Sequence, residues 1–410
     1  MNTPTNNTPP QSYKMTELGV LPEEWDVVPL DNKYIEFQNG LWKGKKEPYI
    51  KVRVLRNTNF NNDGTIDFED VAELDVEQRN FKNREIIKDD IILERSGGGP
   101  TQPVGRVVFF EREDQFMYSF SNFTSRIRIN DKLIIFPKFL FYFLLDFYNQ
   151  GKTNDIQNRT TGIRNLDFSK YKQIPIPLPP LSEQQKIAAV LSAVQEAKEK
   201  TEAVIAAAKA LKKSMMKHLF TYGPVSPLEA ENVPLKETEI GPVPEDWEVV
   251  RLGDVAEIIM GQSPPGSSYN ERGEGLPFLQ GKAEFGSLHP KHIKYTTAPM
   301  KIAPKNSVLL SVRAPVGDVN ISEIEYCIGR GLSSLSLPTG SNIFLFYMLN
   351  HLEKELEKEG TGSTFKAITK SKLINLLLPL PPLPIQQKIA FILSAIDAKI
   401  EAEENKKKAL

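Results

Sequence analysis

Apolar and polar residues follow three different rhythms along this chain, and each predicts a different kind of element. From Ser182 to Phe220 there is no Pro and no Gly. Within that run a line of every third then fourth residue passes through Ile187, Val190, Val194, Ala197, Thr201, Val204, Ala208, Leu211, Met215 and His218, apolar at all but Thr201 and His218. Such a line is the mark of a helix with one apolar seam. Pro179 and Pro180 precede the run and Gly223 and Pro224 follow it, as helix ends favour. Ser182 and Gln185 have the spacing of a capping box. At 1.5 Å per residue the helix would be roughly 58 Å long, and a single seam of that length needs a partner.

The same sequence holds one. PLPPLSEQQKIAAVLSA (Pro177 to Ala193) returns as PLPPLPIQQKIAFILSA (Pro379 to Ala395). The second copy carries the seam Ile389, Leu393, Ile396 and Ile400, then is interrupted by Glu403 and Lys407 before Leu410. Pro384 replaces Ser182, which the first turn of a helix tolerates. Nothing in the second copy corresponds to KKSMMKHLFTYG (Lys212 to Gly223), so a truncated or unequally paired second helix is expected. Two long helices, each after a globular segment, predict one intramolecular coiled coil.

The entry to each globular segment is repeated as well. TELGVLPEEWDVVPL (Thr16 to Leu30) returns as TEIGPVPEDWEVVRL (Thr238 to Leu252). Between entry and helix the rhythm changes to period two. Tyr49 to Phe60 alternates as a strand and runs into a turn at Asn61 to Gly64. Strands are expected near Ile91 to Glu94 and Gly105 to Phe110, an aromatic-rich buried helix over Pro137 to Asn149, and a strand in QIPIPLP. The second body keeps the order. Pro315-Val316-Gly317 lies where Pro103-Val104-Gly105 lies, FLFYML (Phe344 to Leu349) matches FLFYFL (Phe139 to Leu144), and TGSTFKAI (Thr361 to Ile368) stands in place of RTTGIRNL (Arg159 to Leu166). The chain therefore reads as two copies of one unit: an entry motif, a divergent α/β (α+β) body and a long helix. The expected divisions are a tail 1–15, a first body 16–178, a helix 179–222, a linker 223–237, a second body 238–378 and a helix 379–410.

Composition narrows the options. A chain of 410 residues has room for two or three domains. With net charge −1, any nucleic acid would have to meet local positive charge rather than a global field. One cysteine, Cys327, excludes an internal disulfide and a cysteine zinc cluster, and fits a cytoplasmic protein. His289 and His292 are a close pair without a third ligand nearby, so loop surface is their expected place. No apolar run approaches membrane-spanning length. The start, MNTPTNNTPPQSYK, lacks the apolar core of a signal peptide and reads as a disordered tail.

Two loops carry partial enzyme motifs. Ser263-Pro264-Pro265-Gly266 is like the tetrapeptide of amino-methyltransferases, but Gly266 cannot stack on a flipped-out base, so a turn is the better reading. Ser96-Gly97-Gly98-Gly99-Pro100 is not followed by Lys-Ser/Thr and is no phosphate-binding loop of the Walker type. No Asp/Glu–x–Lys pair stands in a strand context that would point to a nuclease. The polar loops carry a different signal. Trp42, Lys43, Lys45 and Lys46 lie in a glycine-flanked loop, Arg95 precedes the triple glycine, and Arg159 and Arg164 fill a third loop. Gln262, Arg272, Gln280, Lys282, Arg313, Arg330 and Lys366 are their counterparts in the second body. Arg, Lys and Gln are the residues that form paired hydrogen bonds to base edges and contacts to phosphates.

The Pro-Leu-Pro-Pro-Leu–x–x-Gln-Gln–x–Ile-Ala–x–x-Leu run before a long helix, present twice together with Gly–x–x–Pro–x–x–Trp or Gly-Pro–x–Pro–x–x–Trp entries, resembles the specificity subunit of type I restriction–modification enzymes. The resemblance implies two target-recognition domains, each reading half of a split double-stranded DNA site, and an antiparallel coiled coil that fixes the spacer. It further implies docking of two methyltransferase subunits and assembly with restriction/motor subunits. S-adenosylmethionine, Mg and ATP would then belong to those partners, with no cofactor and no catalysis in this chain. Two other readings compete: a self-contained DNA methyltransferase, and a structural coiled-coil adaptor that does not touch DNA.

Overall fold

Buried strands that are apolar on both faces organise each half of the molecule. In the computed structural model the described residues are 12–41, 44, 46–99, 102–160, 163–359 and 367–410, with backbone alone at 159, 160, 358 and 359. The chain divides into two compact units, residues 1–196 and 197–410.

The core strands of the first unit are β1 (Ile35–Asn39), β2 (Tyr49–Leu55), β3 (Ile91–Glu94), β4 (Val107–Phe109), β5 (Tyr118–Phe120) and β6 (Thr124–Ile129). One antiparallel sheet has the order β1-β6-β3-β4, and a second contains the parallel pair β2 and β5. Successive side chains of a strand point to opposite faces, and β3 uses both. Ile91 and Leu93 pack with Leu140, Phe141 and Leu144 of helix α1 (Pro137–Asn149). Ile92 faces Leu55, Tyr118 and Phe120 of the second sheet.

The second unit repeats this plan with β7 (Glu257–Met260), β8 (Leu276–Leu279), β9 (Val308–Ser311), β10 (Val319–Ile321), β11 (Tyr326–Ile328) and β12 (Leu332–Ser336). Its antiparallel sheet has the order β7-β12-β9-β10, and β8 runs parallel to β11. Single backbone bonds coincide too. Leu41 N–H donates to Phe120 O and Gln262 N–H to Ile328 O, while Leu166 N–H donates to Arg95 O and Ile368 N–H to Val312 O. The duplication thus extends through the divergent interiors.

The two repeated motifs hold each other. In the first unit Asp26–Pro29 pairs antiparallel with Pro175–Leu178, and in the second Glu248–Arg251 pairs with Leu377–Leu380. Each pair leads into a long helix: α2 (Leu181–Tyr222), roughly 63 Å by its 42 residues, and α4 (Leu383–Ala409). The start of each is anchored by the first Gln of the repeated Gln-Gln. Gln184 donates to Pro179 O (2.8 Å) and Ile134 O (2.9 Å), and its Oε1 accepts from Phe136 N–H (2.8 Å). Gln386 donates to Pro381 O (2.8 Å) and accepts from Ser341 N–H (2.9 Å). The capping box expected from Ser182 and Gln185 is therefore replaced by one buried amide that ties helix, entry turn and α1 together.

Within the second unit α2 and α4 pair antiparallel. Glu202 bonds Lys407, Lys209 bonds Glu404 and Lys212 bonds Asp397, so positions rise on one helix as they fall on the other. Met215, Met216, Leu219 and Phe220 share one core with Ile389, Leu393, Ile396 and helix α3 (Asn342–His351). On α4 the expected seam holds: Ile389 and Leu393 are fully buried and Ile400 nearly so. Glu403 follows on the same face, bonded to Lys399 at 2.6 Å. On α2 the seam needs correction. Ile187 and Val194 are half-buried, but Val190, Val204 and Leu211 are 64%, 41% and 52% exposed. The buried face runs instead through Gln184, Ala188, Thr201, Ile205 and Leu219. A straight helix of 3.6 residues per turn drifts off a 3.5-residue line, so a line drawn on the sequence leaves the buried face over many turns.

Candidate nucleic-acid interface

In the second unit, loops leaving β8, β9 and β11 enclose a cleft of about 560 Å³, lined by Ser263, Gln280, Lys282, Glu284, Ser311, Arg313 and Arg330 among others. β8 and β11 are parallel, so both chains emerge at the same edge. Gly329 N–H donates to Leu279 O (2.7 Å) and Gly331 N–H to Gln280 O (3.2 Å). A Cβ on Gly331 would stand 2.5 Å from Gln280 O. Only glycine permits that approach, and it leaves Arg330 projecting from a tight turn. Ser311 Oγ donates to Arg313 O (3.1 Å) and Pro315 O (2.8 Å), fixing the turn that presents Arg313.

The charges in the cleft are unequal. Lys282 Nζ is paired with Asp318 at 2.7 Å. Glu284 is buried and accepts from Gly281 N–H. Arg313 and Arg330 are exposed, and among the described residues neither guanidinium has a hydrogen-bond or ion-pair partner. Four residues singled out from the sequence (Gln280, Lys282, Arg313 and Arg330) thus meet in one place, with exposed Gln262 next to the lining residue Ser263. Arg272 does not join them, for its guanidinium forks onto Glu274 at 2.9 and 3.2 Å in a local turn. Glu284 was not among the sequence candidates, and Ser263 stood out there only as part of a turn. A carboxylate in a helical turn gives no signal until the loops converge.

The first unit treats its charges differently. Arg95 Nη1 donates to Asn39 Oδ1 and to Ser125 Oγ, and its guanidinium lies 4.2 Å from the centre of the Phe168 ring. Burial pushes its pKa below the ordinary arginine value. Arg95 is therefore committed within the protein rather than presented as a free fork. Arg106, also unremarked in the sequence, forms two bonds to Glu94 (2.9 and 2.8 Å) and further bonds to Phe60 O and Asn57 O. Burial works against its charge, but the bonds and field of Glu94 outweigh burial and raise its pKa. Arg164 lies half-buried in a strand paired with Gln157–Thr160, and meets Gly98. Lys46 is exposed, and its N–H donates to Glu77 (2.6 Å). Trp42, Lys43, Lys45, Lys366 and the side chain of Arg159 lie outside the described residues.

His292 Nε2 meets Tyr326 Oη (2.6 Å) and Glu323 (3.2 Å), and His289 Nδ1 meets Ile321 O (2.9 Å). Among the described residues no three His, Cys, Asp or Glu side chains are grouped to hold a metal ion, and no helix is long and apolar enough to cross a membrane.

Comparison with known proteins agrees with this duplicated frame. The family described as type I restriction modification DNA specificity domain matches residues 23–209 and again 244–410. A putative type I restriction enzyme MjaX specificity subunit from Methanocaldococcus jannaschii is 38% identical over 405 residues, covering 98% of this chain and 93% of its own. A solved chain described under "Structural basis underlying complex assembly and conformational transition of the type I R-M system" is 31% identical, with a TM-score of 0.55 over 95% of this chain and 94% of that one. The type I restriction–modification S subunit from M. genitalium shares the fold at 16% identity, with a TM-score of 0.62 over 94% and 92% of the two chains. The chain belongs to the family of type I restriction–modification DNA specificity subunits.

Proposed function

We propose that each unit reads one half of a split double-stranded DNA site, that the antiparallel helices set the spacer, and that catalysis lies in other subunits. The observation that supports this best is one backbone plan used twice with different polar surfaces: the cleft of Arg313 and Arg330 in one unit, the internally bonded face of Arg95 in the other. A repeated frame suits a constant partner, and divergent surfaces suit two different base sequences. The partners are two methyltransferase subunits, which would carry S-adenosylmethionine and Mg, and restriction/motor subunits, which would use ATP. The working place would be the cytoplasm.

Two helices paired antiparallel are exchanged by a twofold rotation, and so are the strands of DNA about its dyads. Replacing 253–371 with 31–169 while keeping both helices should therefore give a hybrid that selects an inverted repeat of the first half-site. Site selection from random duplexes, with methyltransferase subunits present, tests this. A direct repeat as the winning site would overturn the antiparallel arrangement as the determinant of the target. Incorporation of S-adenosylmethionine methyl groups into DNA by the chain alone would overturn the division of labour.

A further inference from the structure

We infer that the cleft of the second unit reads guanine, with Arg313 and Arg330 each taking the O6 and N7 acceptors of one guanine. The inference rests on the half-site reading above and sharpens it to base identity. Three features carry it. First, the two guanidiniums are the uncommitted cations of the cleft: Lys282 is held by Asp318, while Arg313 and Arg330 have no partner among the described residues. An arginine fork matches the adjacent acceptors of guanine, and that pairing is the commonest specific contact in the major groove.

Second, the surroundings disfavour phosphate. Glu284 lines the same cleft, and Asp318 stands at the end of the Lys282 side chain. The Glu284 carboxylate repels a phosphate at close range, and the Lys282–Asp318 pair, neutral overall, adds no attraction for one, whereas the guanine edge is uncharged and presents acceptors only. Third, the backbone positions the forks. Arg330 leaves a turn pinned by Gly329 and Gly331 bonds to the β8 loop, and Arg313 leaves a turn pinned by Ser311. Pre-set turns reduce the ordering cost of binding. Gln280 on the same wall has the amide that pairs with adenine, so it is placed to read a neighbouring base.

The test uses the full chain in complex with its methyltransferase subunits. Site selection first defines the two half-sites, and the variants R313Q and R330Q then show which half depends on the second unit. That half should contain guanine at the positions whose discrimination each variant relaxes. Replacing those guanines one at a time by 7-deazaguanine, which lacks N7, should weaken binding roughly tenfold per contact. R313K and R330K keep the charge but lose the fork, and should lose base discrimination with an unchanged salt slope. The inference is overturned if the half read by the second unit contains no guanine. It is equally overturned if each Gln variant weakens all sequences alike and lowers the salt slope by roughly 0.9, as loss of a phosphate contact would. Failure to enrich any sequence would instead sink the half-site reading itself, so the two failures are distinguishable.

Discussion

The turn after the central strand has the same backbone in both units and opposite contents. Glu94 N–H donates to Arg106 O, and Ser311 N–H to Asp318 O, each at 2.8 Å. In the first unit the two side chains are a carboxylate and a guanidinium that bond each other and stay buried, at 1% and 8% exposure. In the second, serine leaves room, and Asp318 turns to Lys282 at the edge of an open cleft. One frame is thus plugged by a buried ion pair in one copy and opened as a polar cleft in the other. The difference shows how a duplicated scaffold acquires two surfaces: the main-chain bonds stay, and two side chains decide between support and contact.

The largest expected effect comes from breaking the plug. R106A leaves Glu94 charged and buried, and should destabilise the first unit by about 3–5 kcal/mol. K282A at the half-exposed pair of the second unit should cost less than about 1 kcal/mol. Denaturant unfolding of the two variants measures both, and equal losses would remove the contrast. Next come the helix anchors. Gln184 makes three bonds and Gln386 two to the partners already named. Q184A should cost more than Q386A, each on the order of 1–3 kcal/mol, because buried carbonyl and amide groups lose their partners.

The smallest effect is expected on the paired helices. Lys209 donates to Glu404 at 2.7 Å, and that hydrogen bond is the main cause that holds the Glu404 pKa below the ordinary carboxylate value. A carboxyl with a depressed folded pKa contributes stability that is fully present above its unfolded pKa and is lost as pH falls through the folded one. K209A should therefore lower stability slightly at neutral pH and leave it unchanged in acid below the folded pKa of Glu404, which flattens the acid side of the profile. Thermal melts across that range would show it, and a large loss near neutral pH would contradict the surface character of the pair.

Much of this architecture follows from local order in the sequence. The helix over Pro137–Asn149, the strand at Ile91–Glu94 and both long helices were legible because apolar period and Pro or Gly punctuation act within a few residues. The repeat around Gln184 and Gln386 announced the duplication, and the charged and amide residues of the loops announced a polar contact surface. Which of those charges are free was settled only in three dimensions. Arg95 and Lys282 have partners brought in by a neighbouring strand or loop closure and Arg272 bonds Glu274 within its own turn, whereas among the described residues Arg313 and Arg330 have none. The seam of α2 was also decided there, because Val190, Val204 and Leu211 satisfy the period yet face solvent. Periodicity is a property of one helix, but burial belongs to the surfaces it meets, and a charge is spent or available according to what folding brings within reach of it.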